Sequence, residues 1–189
     1  MFIIKYEIFE DDIHELREID FQTFNQEYNQ IYGCFTLIVN GIEYLPYPLP
    51  EMRLETKRVY SELILTHFDF LIDVYYQLPK NNYVALKYNE NHWTWLEFIK
   101  EGNELIVSEL NYEIHEGSSL QTDRELFINA IKEKIINETI QWEDFEKELI
   151  SKTKEFFKTL QEINESILVS NCFKQIRSFA LEHYANGKR

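Results

Sequence analysis

Glycine, proline and cysteine are scarce in this chain, and each shortage excludes something. Five glycines, at positions 33, 41, 102, 117 and 187, are too scattered to build a phosphate-cradling loop. Only four prolines are present, so long flexible or proline-rich linkers are not expected. The two cysteines, Cys34 and Cys172, lie far apart within apolar segments. Buried free thiols are expected there rather than a disulfide, as in a reducing cytoplasm. No apolar run approaches the ~20 residues needed to cross a bilayer. The opening Met-Phe-Ile-Ile-Lys-Tyr-Glu has no basic stretch, long apolar stretch or small-residue cleavage site. It does not read as a signal peptide, and a cytoplasmic location is expected.

Catalytic motifs are missing as well. There is no CxxC, HExxH or Glu-x-x-His spacing for a metal, and no GxSxG elbow for a nucleophilic serine. Cys34 follows Gly33 in a context with nothing to lower its pKa, which suits a structural thiol better than a nucleophile. His92 and His115 fall at opposite ends of a predicted strand meander, where Glu90 or Glu116 would complete a metal-binding trio. Solvent-exposed histidines at strand ends are the simpler reading. No catalytic residue, metal or other cofactor is expected.

What remains is an acidic, aromatic-rich globular chain. Its 189 residues suit one sizeable domain, 1–189, and apolar residues at 44% are enough to build a core. Phe, Tyr and Trp make up 15%. Lys and Arg total 19 against 33 Asp and Glu, so the net charge is 19 − 33 = −14. A field of that sign repels nucleic-acid backbones and anionic membranes, so neither is an expected partner; basic proteins are attracted. Acidity for solubility alone is the plainer alternative. The charge is uneven: residues 1–20 carry −5, residues 89–116 carry −6 and residues 170–189 carry +3.

Periodicity predicts an α+β fold. Phe2 to Phe9 reads as a strand, and residues 10–20 are acidic without a clear pattern. Cys34–Val39 and Ile42–Tyr47 flank Asn40-Gly41, a pair that suits a type I′ hairpin turn. The prolines after Tyr44 end the return strand. Residues 56–78 show helical spacing and are nearly apolar all round, with Pro79 as the stop. Strands are expected at 83–88, 92–100 and 104–114, joined by turns at 89–91 and 101–103. Thr122 and Glu125 fit a capping box, with Phe127, Ala130, Ile131 and Ile135 as the apolar face of a helix. Further helices are expected from Gln141 through Ile167 and over 170–185. The expected architecture is an antiparallel sheet, hairpin plus meander, against three or more helices, with a helical C-terminal half.

The partner-binding candidates come from register. If Lys100 closes its turn with Glu104, then Trp95 faces Glu109, Trp93 faces Asn111 and Glu97 faces Val107. Trp93, Trp95, Glu97 and Glu109 then share one strand face, opposite the face of Leu96 and Phe98. Tryptophans anchor interfaces and acids steer basic partners, so these four are the candidate contacts. A helix or strand covering the tryptophans is the alternative.

Gly33-Cys-Phe-Thr-Leu-Ile-Val-Asn-Gly41 leading to Leu45-Pro46, then Thr122-Asp-Arg-Glu-Leu-Phe-Ile-Asn-Ala-Ile131, then Trp142-Glu-Asp-Phe145 opening a long helix, together resemble bacterial immunity proteins. Those are encoded beside polymorphic or contact-delivered toxins. The resemblance implies a small cytoplasmic α+β inhibitor that binds and occludes a cognate toxin domain, with no catalytic residues. The charge favours a basic toxin, such as a nuclease. An adaptor assembling through the C-terminal helices is the second expectation.

Overall fold

The computed structural model describes residues 1–88, 93–114 and 117–186. The fold is α+β, with antiparallel sheets and a helix-rich C-terminal part. In chain order the regular elements are β1 (Phe2–Ile8), α1 (Glu10–Glu18), α2 (Phe21–Thr23), β2 (Tyr32–Val39), β3 (Ile42–Glu43), α3 (Leu54–Lys57), β4 (Glu62–Leu63) and α4 (Ile64–Asn81). Then come β5 (Tyr83–Lys87), β6 (Thr94–Glu101), β7 (Glu104–Asn111), β8 (Leu120–Gln121), β9 (Ile131–Lys132), β10 (Glu138–Gln141), α5 (Trp142–Asn164) and α6 (Lys174–Asn186). Two compact units emerge. The first comprises Met1–Ile3, Leu37–Tyr44 and Asp73–Lys147; the second comprises Ile4–Thr36, Leu45–Ile72 and Glu148–Arg189.

The first unit is built on a six-stranded sheet in the order β10-β7-β6-β5-β8, with β9 also paired to β7. Both faces of the sheet are buried. Val84, Leu96, Phe98, Leu105 and Val107 fill one face, where Phe145 packs on Phe98 at 5.9 Å. Tyr83, Ala85, Trp95, Ile99 and Leu110 fill the other, capped by Phe127. The Asn40-Gly41 turn has both residues at positive φ, 50° and 88°, as a type I′ turn requires. The return strand β3 is two residues long rather than reaching Tyr47, because the proline at 46 ends the supply of ladder donors.

The second unit has an aromatic core. Phe68 and Phe156 stack at 4.8 Å, Tyr6 meets both edge-on, and Phe24 stacks on Phe173 at 5.4 Å. Residues 10–18, acidic and patternless in sequence, form α1. Glu10, Asp11 and Asp12 occupy its first turn, where the helix dipole favours negative charge. Arg58 bridges Asp11 and Asp12 and lies over the Phe9 ring. In α6, Ile176, Phe179 and Ala180 are buried as expected.

Two predicted helices differ from the structure. Helix α4 begins at Ile64 rather than at 56, because Glu62 and Leu63 pair with Gly33 and Tyr32 of β2. Pro79 lies inside the last turn and does not end the helix. Asn82 does, taking φ +56° and donating its N–H to the Leu78 carbonyl at 2.9 Å. The second case is 122–135, which is no α-helix. It holds a short 3-10 turn, Arg124–Phe127, followed by β9. Glu133 N–H donates to the Glu109 carbonyl and Glu109 N–H to the Ile135 carbonyl, so the backbone is committed to the sheet. Asp123, not Thr122, caps the turn, accepting from Glu125 N–H.

Gly33 is a point of close approach. A Cβ there would meet the Glu7 backbone oxygen and the Ile64 side chain, both within the second unit. Gly33→Ala is therefore expected to destabilise the protein by about 2 kcal/mol or more, the range of overpacked cores. Urea unfolding would register the loss as a lower midpoint with an unchanged slope.

Candidate functional site

The hairpin β6–β7 closes with Glu101 opposite Glu104, so the turn has two residues, Gly102 and Asn103. Gly102 takes φ +61°, which suits a glycine in the first central position of a tight hairpin turn. This register differs by one residue from the sequence expectation and corrects the candidate site. Trp95 faces Leu110, not Glu109; Glu97 faces Ser108, not Val107; Glu109 faces Leu96 on the opposite side of the sheet. A one-residue slip exchanges the faces of all partners on one strand. The four candidates do not share a surface.

Their burial differs as much as their placement. Trp93 is exposed at 47% of its surface, whereas Trp95 is exposed at 1%. The Trp95 indole N–H donates to the Tyr112 carbonyl at 2.9 Å, and its ring meets Phe127 edge-on at 4.9 Å. It is a core residue. Glu97 is also buried, at 4% exposure, and Lys132 reaches it from β9. The Lys132 ammonium donates to Glu97 Oε2 at 3.2 Å, Ser108 Oγ at 3.0 Å and Asn137 Oδ1 at 2.6 Å, which uses all three of its donors. Nearby, the buried Tyr83 hydroxyl lies against Glu97. Burial, and then the Glu97 charge, push its pKa up.

A cavity of about 430 Å³ opens over this ion pair. Leu110, Phe127, Ile128 and Ala130 form its apolar wall. Glu97 and Lys132 supply buried and half-buried polarity, while Arg124 and Glu125 are exposed at its mouth. The volume falls in the ~300–1,000 Å³ range of small-ligand sites. Lys132 and Arg124 were invisible as site residues in the sequence, because they sit in a segment whose apolar spacing imitates a helix. Ile128, in the cavity lining, is exposed at 80%, and the same segment exposes Leu126, Ile131 and Ile136, with Ile131 at 69%.

Other candidates are inert or undescribed. His92, His115, Glu90 and Glu116 lie outside the described residues. Among the described residues no group of three His, Cys, Asp or Glu is placed to hold a metal. Cys34 and Cys172 are free thiols; burial pushes Cys34 up to about 11, and its Sγ lies 3.9 Å from the Lys57 carbonyl. His67 and Glu62 form a buried pair at 2.9 Å, with the imidazole stacked on Phe35 at 4.3 Å. Among the described residues no helix is long and apolar enough to cross a membrane. Compared with family models, curated proteins and solved structures, the chain shows no match.

Two variants test this geometry. Trp95→Ala is expected to cost about 3–5 kcal/mol in urea unfolding, the range for a large core aromatic, and not to leave folding intact as a surface residue would. Glu109 is half-buried; burial, and secondarily the charge of Glu133, raise its pKa. The folded state thus holds the Glu109 proton more tightly, and the stability this gives is lost as pH rises through the raised pKa. Glu109→Gln should raise Tm at pH 7 and change it little near pH ~4, where the carboxyl is largely protonated. Calorimetry at both pH values checks the difference.

Proposed function

We propose that this chain is an immunity-type inhibitor that binds a basic toxin domain and occludes its active site. The observation that carries the reading is the run of exposed apolar side chains at 126, 128, 131 and 136 on a chain of net charge −14. Large apolar side chains left in water mark contact surfaces when they cluster. Within 123–136 the acids Asp123, Glu125 and Glu133 are matched by Arg124, Lys132 and Lys134, so attraction of a cationic partner rests on the net charge of the whole chain. Trp93 remains a candidate contact at the interface, whereas Trp95 and Glu97 support the surface from beneath.

The two components have separable effects. Charge accelerates encounter and loses strength with salt, while buried apolar contacts slow dissociation. The sequence resemblance to toxin-neutralising proteins points the same way. Assembly through the C-terminal helices is the competing reading, favoured by the exposure of Val169, Leu181 and Tyr184.

Binding to the product of the gene adjacent to this chain's own is the test, measured by surface-immobilised kinetics. The association rate should fall steeply between low and physiological salt. The double variant Ile128→Asp, Ile131→Asp should speed dissociation at least ~10-fold, as loss of an interface anchor does, with Tm unchanged. Undiminished binding by that variant, together with loss of binding in Leu181→Asp, would transfer the function to the C-terminal helices.

A further inference from the structure

We propose that residues 123–134 pair with the same residues of a second copy of this chain about a two-fold axis, so that the free protein dimerises and its inhibitory face is covered until a partner displaces that copy. The dimer is argued from this segment alone; only its displacement rests on the inhibitory reading.

Charge complementarity decides the occupant. Asp123, Arg124 and Glu125 run negative, positive, negative; Lys132, Glu133 and Lys134 run positive, negative, positive. These charges cancel on a chain of net charge −14, so an acidic second copy is not repelled here. Laid antiparallel on itself, the segment sets Asp123 against Lys134, Arg124 against Glu133 and Glu125 against Lys132. The next pair inward is apolar, Leu126 against Ile131. Every sign meets its opposite. A two-fold interface needs this self-complementarity, because where residue i meets j, j also meets i.

The fold presents the pattern to solvent. Of the six charged residues only Lys132 is half-buried; the other five are exposed, with Leu126 and Ile131 exposed between them. Arg124, Glu125 and Lys132 border one cavity, so the two charged triplets adjoin on one surface. Backbone bonds fix both: Ile128 N–H donates to the Glu125 carbonyl at 3.3 Å, and Glu133 N–H to the Glu109 carbonyl at 3.0 Å. Lys132 spends its three donors on Glu97, Ser108 and Asn137, so Glu125 meets its charge alone. The hydrogen-bonded pairs are therefore Asp123 with Lys134 and Arg124 with Glu133, each formed twice. The midpoint of the pairing falls between 128 and 129. That puts Ile128, exposed at 80%, beside the axis, where the cavity of about 430 Å³ in each copy receives it from the other. Long-range repulsion between two acidic bodies opposes the dimer, and salt screens it beyond ~10 Å at 0.1 M. Ion pairs sealed by apolar side chains are screened less. The dimer thus tightens as salt rises, opposite to encounter with a cationic partner.

Sedimentation velocity on the full chain, across protein concentration and salt, is the test. A monomer–dimer equilibrium is expected, with its dissociation constant falling several-fold from low to physiological salt. Arg124→Glu puts a carboxylate against Glu133, and Glu133→Arg puts a guanidinium against Arg124. Each variant alone should weaken its homodimer at least ~10-fold, since like charges meet twice. Both positions are exposed, so Tm should not change. Mixed in equal amounts, the two variants regain opposite signs at these contacts and should form a heterodimer about as tight as the unmodified dimer. Leu181→Asp should leave the dimer intact. A monomer under all conditions, a mixture no tighter than its components, or loss of the dimer in Leu181→Asp would each overturn the assignment. Addition of the adjacent gene's product separates the two readings. Conversion of the dimer to a 1:1 complex supports displacement. A complex that retains the dimer keeps the two-fold interface and moves the inhibitory face elsewhere. Partner binding by a chain that never dimerises rejects the dimer and keeps the inhibitory reading.

Discussion

Glu101 and Glu104 face one another across Gly102 and Asn103, and that pairing sets every cross-strand neighbour in the β6–β7 hairpin. A three-residue loop would put Trp95 beside Glu109 and leave both for solvent. The two-residue turn puts Trp95 beside Leu110 and Glu97 beside Ser108, with Ile99 continuing the same face against Ile106. That face is too apolar to stay in water, so the segment after β8 folds over it. The cavity, the Lys132 contact and the exposed isoleucines all belong to this covering segment.

The polar group beneath the cover is expensive to bury and therefore specific. A carboxylate at 4% exposure is tolerated only with a counter-ion and hydrogen bonds. Lys132 supplies the charge, and Ser108 and Asn137 saturate its remaining donors. Asn137 takes φ +52° and directs its own N–H to Ser108 Oγ at 3.2 Å. A shifted pairing of β9 on β7 would strand both Glu97 and Lys132. The network thus selects the same placement of the segment that its backbone bonds to β7 select.

Much of the fold was legible in the sequence where local and tertiary preferences agree. Asn40-Gly41 announces its turn because few other residue pairs tolerate two positive φ values. Helix α5 begins at Trp142 as expected, since Phe145, Leu149, Phe156 and Leu160 keep one buried stripe. Legibility failed where partners distant in sequence take over backbone donors. Thr56 to Leu63 has helical spacing, yet Glu62 and Leu63 pair with β2, about thirty residues away. Phe127, Ala130, Ile131 and Ile135 have helical spacing too, yet β9 answers to β7, and Ile131 is left exposed. The candidate site was legible in composition but not in geometry. Trp95 and Glu97 do share a face; whether that face is wet depends on a turn one residue shorter than expected.

Cys34 gives the second unit a chemical clock. Its thiol is fully enclosed, and burial holds it protonated with a pKa of about 11. Opening of β2 removes both barriers together, since an unfolded cysteine titrates near ~8.5 and is open to reagents. Alkylation at Cys34 is thus gated by conformational opening, and its rate counts those openings as hydrogen exchange counts them for an amide. Cys172, only partly buried, marks time on the same chain at a different rate. A single mass spectrum taken during labelling would therefore separate local breathing near residue 172 from the rarer event that opens the core around β2.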